Sequence, residues 1–238
     1  MPVELVAVAF DADDPGRLAA FWAAVLGRRI VDELDGALLP GDETQVGLRF
    51  TAAASEKSGQ NRLHLHLTSS TLEDQRRTVE TVLELGGRHL DIGQRPEEGH
   101  VVLADPEGNE FCVIEPGNKY LAGCGFLGEL TCVGSREVGY FWSEALGWPL
   151  VWDQGLQTAI RSPRGGPKIS WDGEWMMPLT GKSRLHFDLA PPVHDNLRDE
   201  VDRLVSLGAT RTGIGQGEAS RVAMADPDGR EFCVLTPR

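Results

Sequence analysis

Positive charge is scarce in this chain: 23 Lys and Arg stand against 36 Asp and Glu in 238 residues, a formal net charge of −13. That balance excludes the basic footprint of a nucleic-acid binder and argues against docking on anionic membrane surfaces. Long apolar runs are missing too. Nothing approaches the roughly 20 residues that span a bilayer, and Asp11, Asp13 and Asp14 break up the stretch where a signal peptide would need its apolar segment. The expected location is the cytoplasm. The four cysteines include no Cys-x-x-Cys pair, which excludes a zinc ribbon or thioredoxin-type site; in a cytosolic chain they are expected as reduced thiols. No low-complexity segment appears.

What the chain does contain, it contains twice. Ala104-Asp105-Pro106-Glu107-Gly108-Asn109-Glu110-Phe111-Cys112-Val113 returns 121 residues later as Ala225-Asp226-Pro227-Asp228-Gly229-Arg230-Glu231-Phe232-Cys233-Val234. Phe21-Trp22 and Leu26-Gly27 return as Phe141-Trp142 and Leu146-Gly147. Arg62-Leu63-His64 and Ile92-Gly93-Gln94 return as Arg184-Leu185-His186 and Ile214-Gly215-Gln216. Landmarks repeated in one order at nearly one offset mean two copies of one domain. The boundaries read as 1–117 and 124–238 with a linker over 118–123, inside the Pro- and Gly-bearing stretch Pro116–Gly123. Each copy is long enough for its own core.

Within each copy the pattern is itself doubled: strand, helix, strands, then the same again. Glu4–Phe10 reads as a strand. Asp14-Pro15 opens a helix, with Asp14 as N-cap and Pro15 at the first helical position. Leu18, Phe21, Trp22, Val25 and Leu26 share one face, and Gly27 closes it. Val138, Phe141, Trp142, Ala145 and Leu146 repeat that stripe before Gly147. Further helices are predicted over 71–85 and 194–207. Leu63–Leu67 alternates as a strand, with His64 and His66 on the face opposite the leucines. Asp105-Pro106-Glu107-Gly108 and Asp226-Pro227-Asp228-Gly229 read as type I turns, so their acids are structural and not a catalytic pair.

The Phe-Trp helix ending in Leu-Gly, the Arg-Leu-His strand and the Asp-Pro-(Glu/Asp)-Gly hairpin resemble the vicinal oxygen chelate superfamily, and more narrowly its glyoxalase-like domain subgroup. The resemblance implies an α+β fold of four βαβββ modules, forming two cupped mixed sheets with the helices outside. It places the site inside the cup, on the strand face turned away from the helices. Metal-dependent members of that superfamily hold an ion with four His and Glu ligands. Carried over, the first-strand position falls near Ala7 and Leu127, and the fourth-strand position within Gly47–Phe50 and Lys168–Ser170, which contain no carboxylate. The fifth-strand position falls on His64 and His186. The last-strand position, usually Glu, falls on Cys112 and Cys233. One His and one Cys in each half are too few, because catalytic zinc has three protein ligands. His66 or Asp188, two residues along on the same face, are the candidate additions, and a thiolate would favour a soft ion. Flanked by Phe and Val, Cys112 and Cys233 read as small core residues. Pairs such as His64–Cys112 or His186–Cys233 would make a nucleophile only if both faced one cleft.

The sequence therefore points to metal-free binding of a small apolar or aromatic molecule in the sheet cup, with no cofactor. The expected ligand-binding residues are His64, His66, His186, Asp188, Cys112 and Cys233, together with Trp171 and Trp175 as aromatic platforms in the second copy. The alternatives are a metal-dependent lyase, isomerase or dioxygenase built on His64 or His186, with a divalent metal as cofactor, and a non-catalytic scaffold with vestigial clefts. Expected partners are a small-molecule ligand and neither nucleic acid nor membrane, with the chain a monomer or homodimer.

Overall fold

The computed structural model describes residues 2–53, 57, 59–95, 97–173, 183–212 and 221–237. Its elements follow the doubled pattern of the sequence. The first module is β1 (Glu4–Ala12), α1 (Pro15–Leu26), β2 (Val31–Glu33), β3 (Gly36–Leu39) and β4 (Gly47–Ala52). The second is β5 (Leu63–Leu67), α2 (Leu72–Glu84), β6 (Arg88–His89), β7 (Val101–Ala104) and β8 (Glu110–Val113). The third is β9 (Leu127–Val133), α3 (Arg136–Leu146), β10 (Leu150–Gln154), β11 (Gln157–Arg161) and β12 (Lys168–Asp172). The fourth is β13 (Leu185–Ala190), α4 (Leu197–Ser206), β14 (Thr210–Arg211), β15 (Arg221–Ala225) and β16 (Glu231–Leu235). Among the described residues, no helix is long and apolar enough to cross a membrane.

The helix signals act as expected. Asp14 accepts the Arg17 N–H at 3.0 Å, with Pro15 at the helix start. Gly27 and Gly147 both end their helices at φ 65°, the left-handed conformation that costs other residues energy.

The strands pair in an order that the repeat alone did not reveal. One eight-stranded sheet, sheet A, runs β14-β15-β16-β13-β1-β4-β3-β2, and the other, sheet B, runs β10-β11-β12-β9-β5-β8-β7-β6. The two modules of one repeat do not share a sheet. The first joins the fourth through antiparallel β1 and β13, and the second joins the third through β5 and β9. Each eight-stranded sheet thus takes four strands from each repeat.

The repeats are tied internally through the helix layer. Trp22 on α1 packs on Phe10 of sheet A at 5.9 Å and on Phe111 of sheet B at 4.9 Å between ring centroids. Its indole N–H donates to the Asp105 carboxylate at 3.2 Å. Trp142 likewise packs on Trp171 of sheet B at 6.4 Å and on Phe232 of sheet A at 5.1 Å, and its indole N–H donates to Asp226 at 3.1 Å. The Phe-Trp and Asp-Pro motifs therefore meet in space, which confirms the structural reading of the two aspartates. The acid at the third turn position bridges modules as well. Glu107 accepts the backbone N–H groups of Asp13 and Asp14, both at 2.8 Å, and Asp228 accepts those of the Ser135 backbone and hydroxyl at 2.6 and 2.9 Å.

Candidate functional site

Strand alternation turns leucine and phenylalanine side chains toward the helices and polar ones toward the two cups. In cup B, on sheet B, one row across the strands reads Lys168, Glu129, His66, Cys112. The next reads Ser170, Thr131, His64. In cup A the equivalent rows are Gly47, Ala7, Asp188, Cys233 and Arg49, Ala9, His186. All six cup residues expected from sequence other than the tryptophans lie on these faces.

Cup B is organised around a carboxylate that the sequence reading missed. His66 Nδ1 lies 2.8 Å from Glu129 Oε2. Burial by itself would lower the His66 pKa, but hydrogen bonds to Cys112 and Glu129 and their negative charge override it and raise the imidazole to about 10. Glu129 is buried, which would raise it, yet bonds from His66, Ser170 and Tyr120 hold it below the ordinary carboxylate value. Tyr120 comes from the linker, and burial plus the Glu129 charge push its phenol upward. The Lys168 ammonium sits 3.7 Å from the Tyr120 ring centroid. His64, two residues from His66, behaves oppositely: burial pulls it down to about 4 against the opposing charge of Glu110. Glu110 is itself paired to Lys57 at 2.6 Å.

Two sequence alignments need correcting here. Leu127 is not the first-strand cup position; it pairs with Leu67, and Glu129 is the residue opposite His66. Register irregularities between Leu5 and Ala7 and between His66 and Leu67 hide this two-residue slip. The histidine sharing a row with Cys112 is His66, not His64. The visible signal was that Glu129 is the only charged residue in Leu127–Val133.

Cup A brings His186, Asp188 and Cys233 together, with one ligand-type atom of each within 4.8 Å of the others. His186 Nε2 is 3.6 Å from Asp188 Oδ1. Gly47–Phe50, which holds no carboxylate, contributes a cation instead. Arg49 Nη1 donates to Asp188 Oδ2, and Arg49 Nε donates to Glu33 Oε2 at 2.7 Å. Burial would weaken the guanidinium charge, but Glu33 and Asp188 more than restore it. The donor set of cup A therefore does not fit a divalent ion. Its carboxylate is neutralised by a fixed guanidinium, and an ion at the triad would face that positive charge in a buried setting. In cup B His66 Nδ1 faces Glu129 at 2.8 Å, and the imidazole, kept protonated by Cys112 and Glu129, offers no free nitrogen lone pair to a metal.

Trp171 lies on the opposite face of β12. It is 1% exposed and stacked on Trp142 with ring centroids 6.4 Å apart, so its environment is the core under α3 and not the cup rim. Gly139 on α3 makes room, since a side chain there would come within 2.0 Å of Thr158 and 3.2 Å of Trp171. Trp175 falls outside the described residues.

A model of the glyoxalase-like domain matches the chain over residues 7–114 and 129–235. Among solved structures, glyoxalase I from Zea mays superposes with a TM-score of 0.67 at 14% identity, over 98% of this chain and 92% of that one. A "putative dioxygenase" from Bacillus subtilis superposes with a TM-score of 0.62 at 16% identity, over 99% and 85%. At these identities the likeness carries the fold and no activity. No curated protein sequence is significantly similar.

Proposed function

This chain belongs to the glyoxalase-like domain family, and from that premise we propose that it binds a small organic molecule in its sheet cups without a metal ion. The observation that carries the reading is Arg49. The guanidinium reaches Asp188 from one side and Glu33 holds it from the other. A built-in organic cation thus takes the role that an ion would have in balancing the cup A carboxylate. Cup B holds a second organic cation, the His66 imidazolium on Glu129. A ligand with a hydrogen-bond acceptor or partial negative charge suits both cups; Ser170, Thr131 and Tyr120 supply neutral hydroxyl groups beside it in cup B.

The test is elemental analysis of untagged protein purified without chelator, together with melting curves in Zn, Ni, Mn, Fe and Co. The wild type is expected to carry no stoichiometric metal and to show no rise in melting temperature. Arg49→Met is expected to gain zinc binding, because it frees Asp188 to join His186 and Cys233. Near-stoichiometric metal in the wild type would overturn the reading. It would favour the metal-dependent lyase, isomerase or dioxygenase alternative, for which the clustering of His186, Asp188 and Cys233 is the supporting observation.

A further inference from the structure

A cavity of about 170 Å³ lies where the beginnings of β5 and β13 and the β15–β16 turn meet α3. It touches cup A only at its edge, through His186 and Glu231. Leu63, Leu185, Phe187, Trp142 and Trp171 give it an apolar wall, and Arg62 and Arg230 give it two guanidinium groups. Arg230 Nε and Nη1 are both buried and have no hydrogen-bond partner among the described residues. Burial and the charge of Arg230 together press the Arg62 pKa down. The Asp226 charge faces Arg230, but no carboxylate oxygen hydrogen-bonds those two nitrogens among the described residues. Asp226 accepts from the Trp142 indole at 3.1 Å and from the backbone of Asp228 and Arg230 at 3.0 and 2.9 Å, and burial pushes it up to about 6. Glu231 is the other carboxylate on the wall.

The first repeat shows what a closed version looks like. At the position of Arg230 stands Asn109, which donates to Asp105 at 2.8 Å and accepts from Asn61 at 3.0 Å. That network joins two uncharged amides to the Asp105 carboxylate and brings in no cation. In the second repeat Asn61 is replaced by Ser183 and Asn109 by Arg230, leaving two donors of a cation without acceptors among the described residues, beside an apolar wall. Buried charged donors without partners are costly and point to a missing anion.

We propose that this cavity binds a small anion with a single flat apolar ring, of the aromatic monocarboxylate class. Arg230, with Arg62, would take the carboxylate as charge-assisted hydrogen bonds, and the two indoles would take the ring. The size agrees, since a cavity of about 150 Å³ holds benzene.

The experiment is a titration of the full chain read by tryptophan fluorescence and by melting temperature, with benzoate, benzyl alcohol and inorganic phosphate as probes. Benzoate is expected to quench saturably and raise the melting temperature, while the neutral alcohol and the ringless anion bind at least about tenfold more weakly. Arg230→Asn, which installs the residue of the first repeat, is expected to weaken benzoate about tenfold or more, as the loss of a charged hydrogen bond implies. Arg230→Lys retains the charge and is expected to fall between them, so the test survives if the asparagine variant folds poorly. Equal binding of benzoate and benzyl alcohol, preference for phosphate, no saturation, or indifference to both variants would each overturn the assignment. The readout does not depend on metal content, so its failure leaves the reading of the cups untouched.

Discussion

The Arg49–Asp188 pair can be taken apart as a thermodynamic cycle. Both side chains are nearly inaccessible, 7% and 5% exposed, whereas Glu33 at 24% can turn to water. Arg49→Met leaves Asp188 buried without its guanidinium partner, with the His186 imidazole 3.6 Å away. Removing one member of a buried pair costs about 3–5 kcal/mol, because the remaining charge is uncompensated. In a chain of this size each kcal/mol moves the melting temperature by about 2–4 °C, so the drop should be about 6–20 °C. Asp188→Leu should cost less, because Arg49 keeps Glu33. The double variant Arg49→Met/Asp188→Leu removes both charges, and apolar replacements of buried pairs are often neutral or stabilising. It should therefore recover to within about 1 kcal/mol of the wild type or exceed it. Urea unfolding with fitted slopes measures all four proteins. If the single costs simply add in the double variant, or if Arg49→Met melts with the wild type, the two groups are not coupled in a buried site and the argument against a metal in cup A loses its basis.

Two further outcomes follow from the same geometry. His64, held near 4 by burial, and His66, held near 10 by Cys112 and Glu129 despite burial, return to about 6.5 on unfolding; stability should fall as pH drops from 6.5 toward 4, because only the unfolded chain protonates His64, and should fall again as pH climbs from 6.5 through 10, because the His66 contribution, complete below 6.5, is lost. Urea midpoints across that range should peak between the limbs, Glu129→Gln should flatten the alkaline limb, and a midpoint that rises steadily to pH 10 would refute the assignment. Trp22→Phe should lower unfolding free energy by about 1–3 kcal/mol beyond its loss of packing, since it strips a donor from buried Asp105; a urea curve matching the wild type would contradict the proposed tie between helix and hairpin.

Much of this molecule is written locally. The helices with their Asp14 and Gly27 ends, the Asp-Pro turns and the facing of His64 and His66 all rest on residues within a few positions of one another, where periodicity and turn chemistry act. Trp171 was legible in the same way: Ile169 and Trp171 alternate with Lys168, Ser170 and Asp172, which places the indole on the core side of β12. The cups were only half legible, because their histidines, cysteines and Asp188 could be placed on a face but not given partners.

By itself the sequence determined that a strand–helix–strands pattern would occur four times and which faces of its legible strands would be polar, because both follow from short-range steric and hydrophobic periodicity; the βαβββ module itself came from the family resemblance. Only the tertiary structure decided that the first module pairs with the fourth and the second with the third. That choice places Glu129 against His66, 63 positions away, and Arg49 against Asp188, 139 positions away. Such contacts depend on strand order and on a two-residue slip in register, and no local preference records either. The physical character of each cup, a carboxylate answered by a buried organic cation, exists only once the two halves have exchanged their sheets.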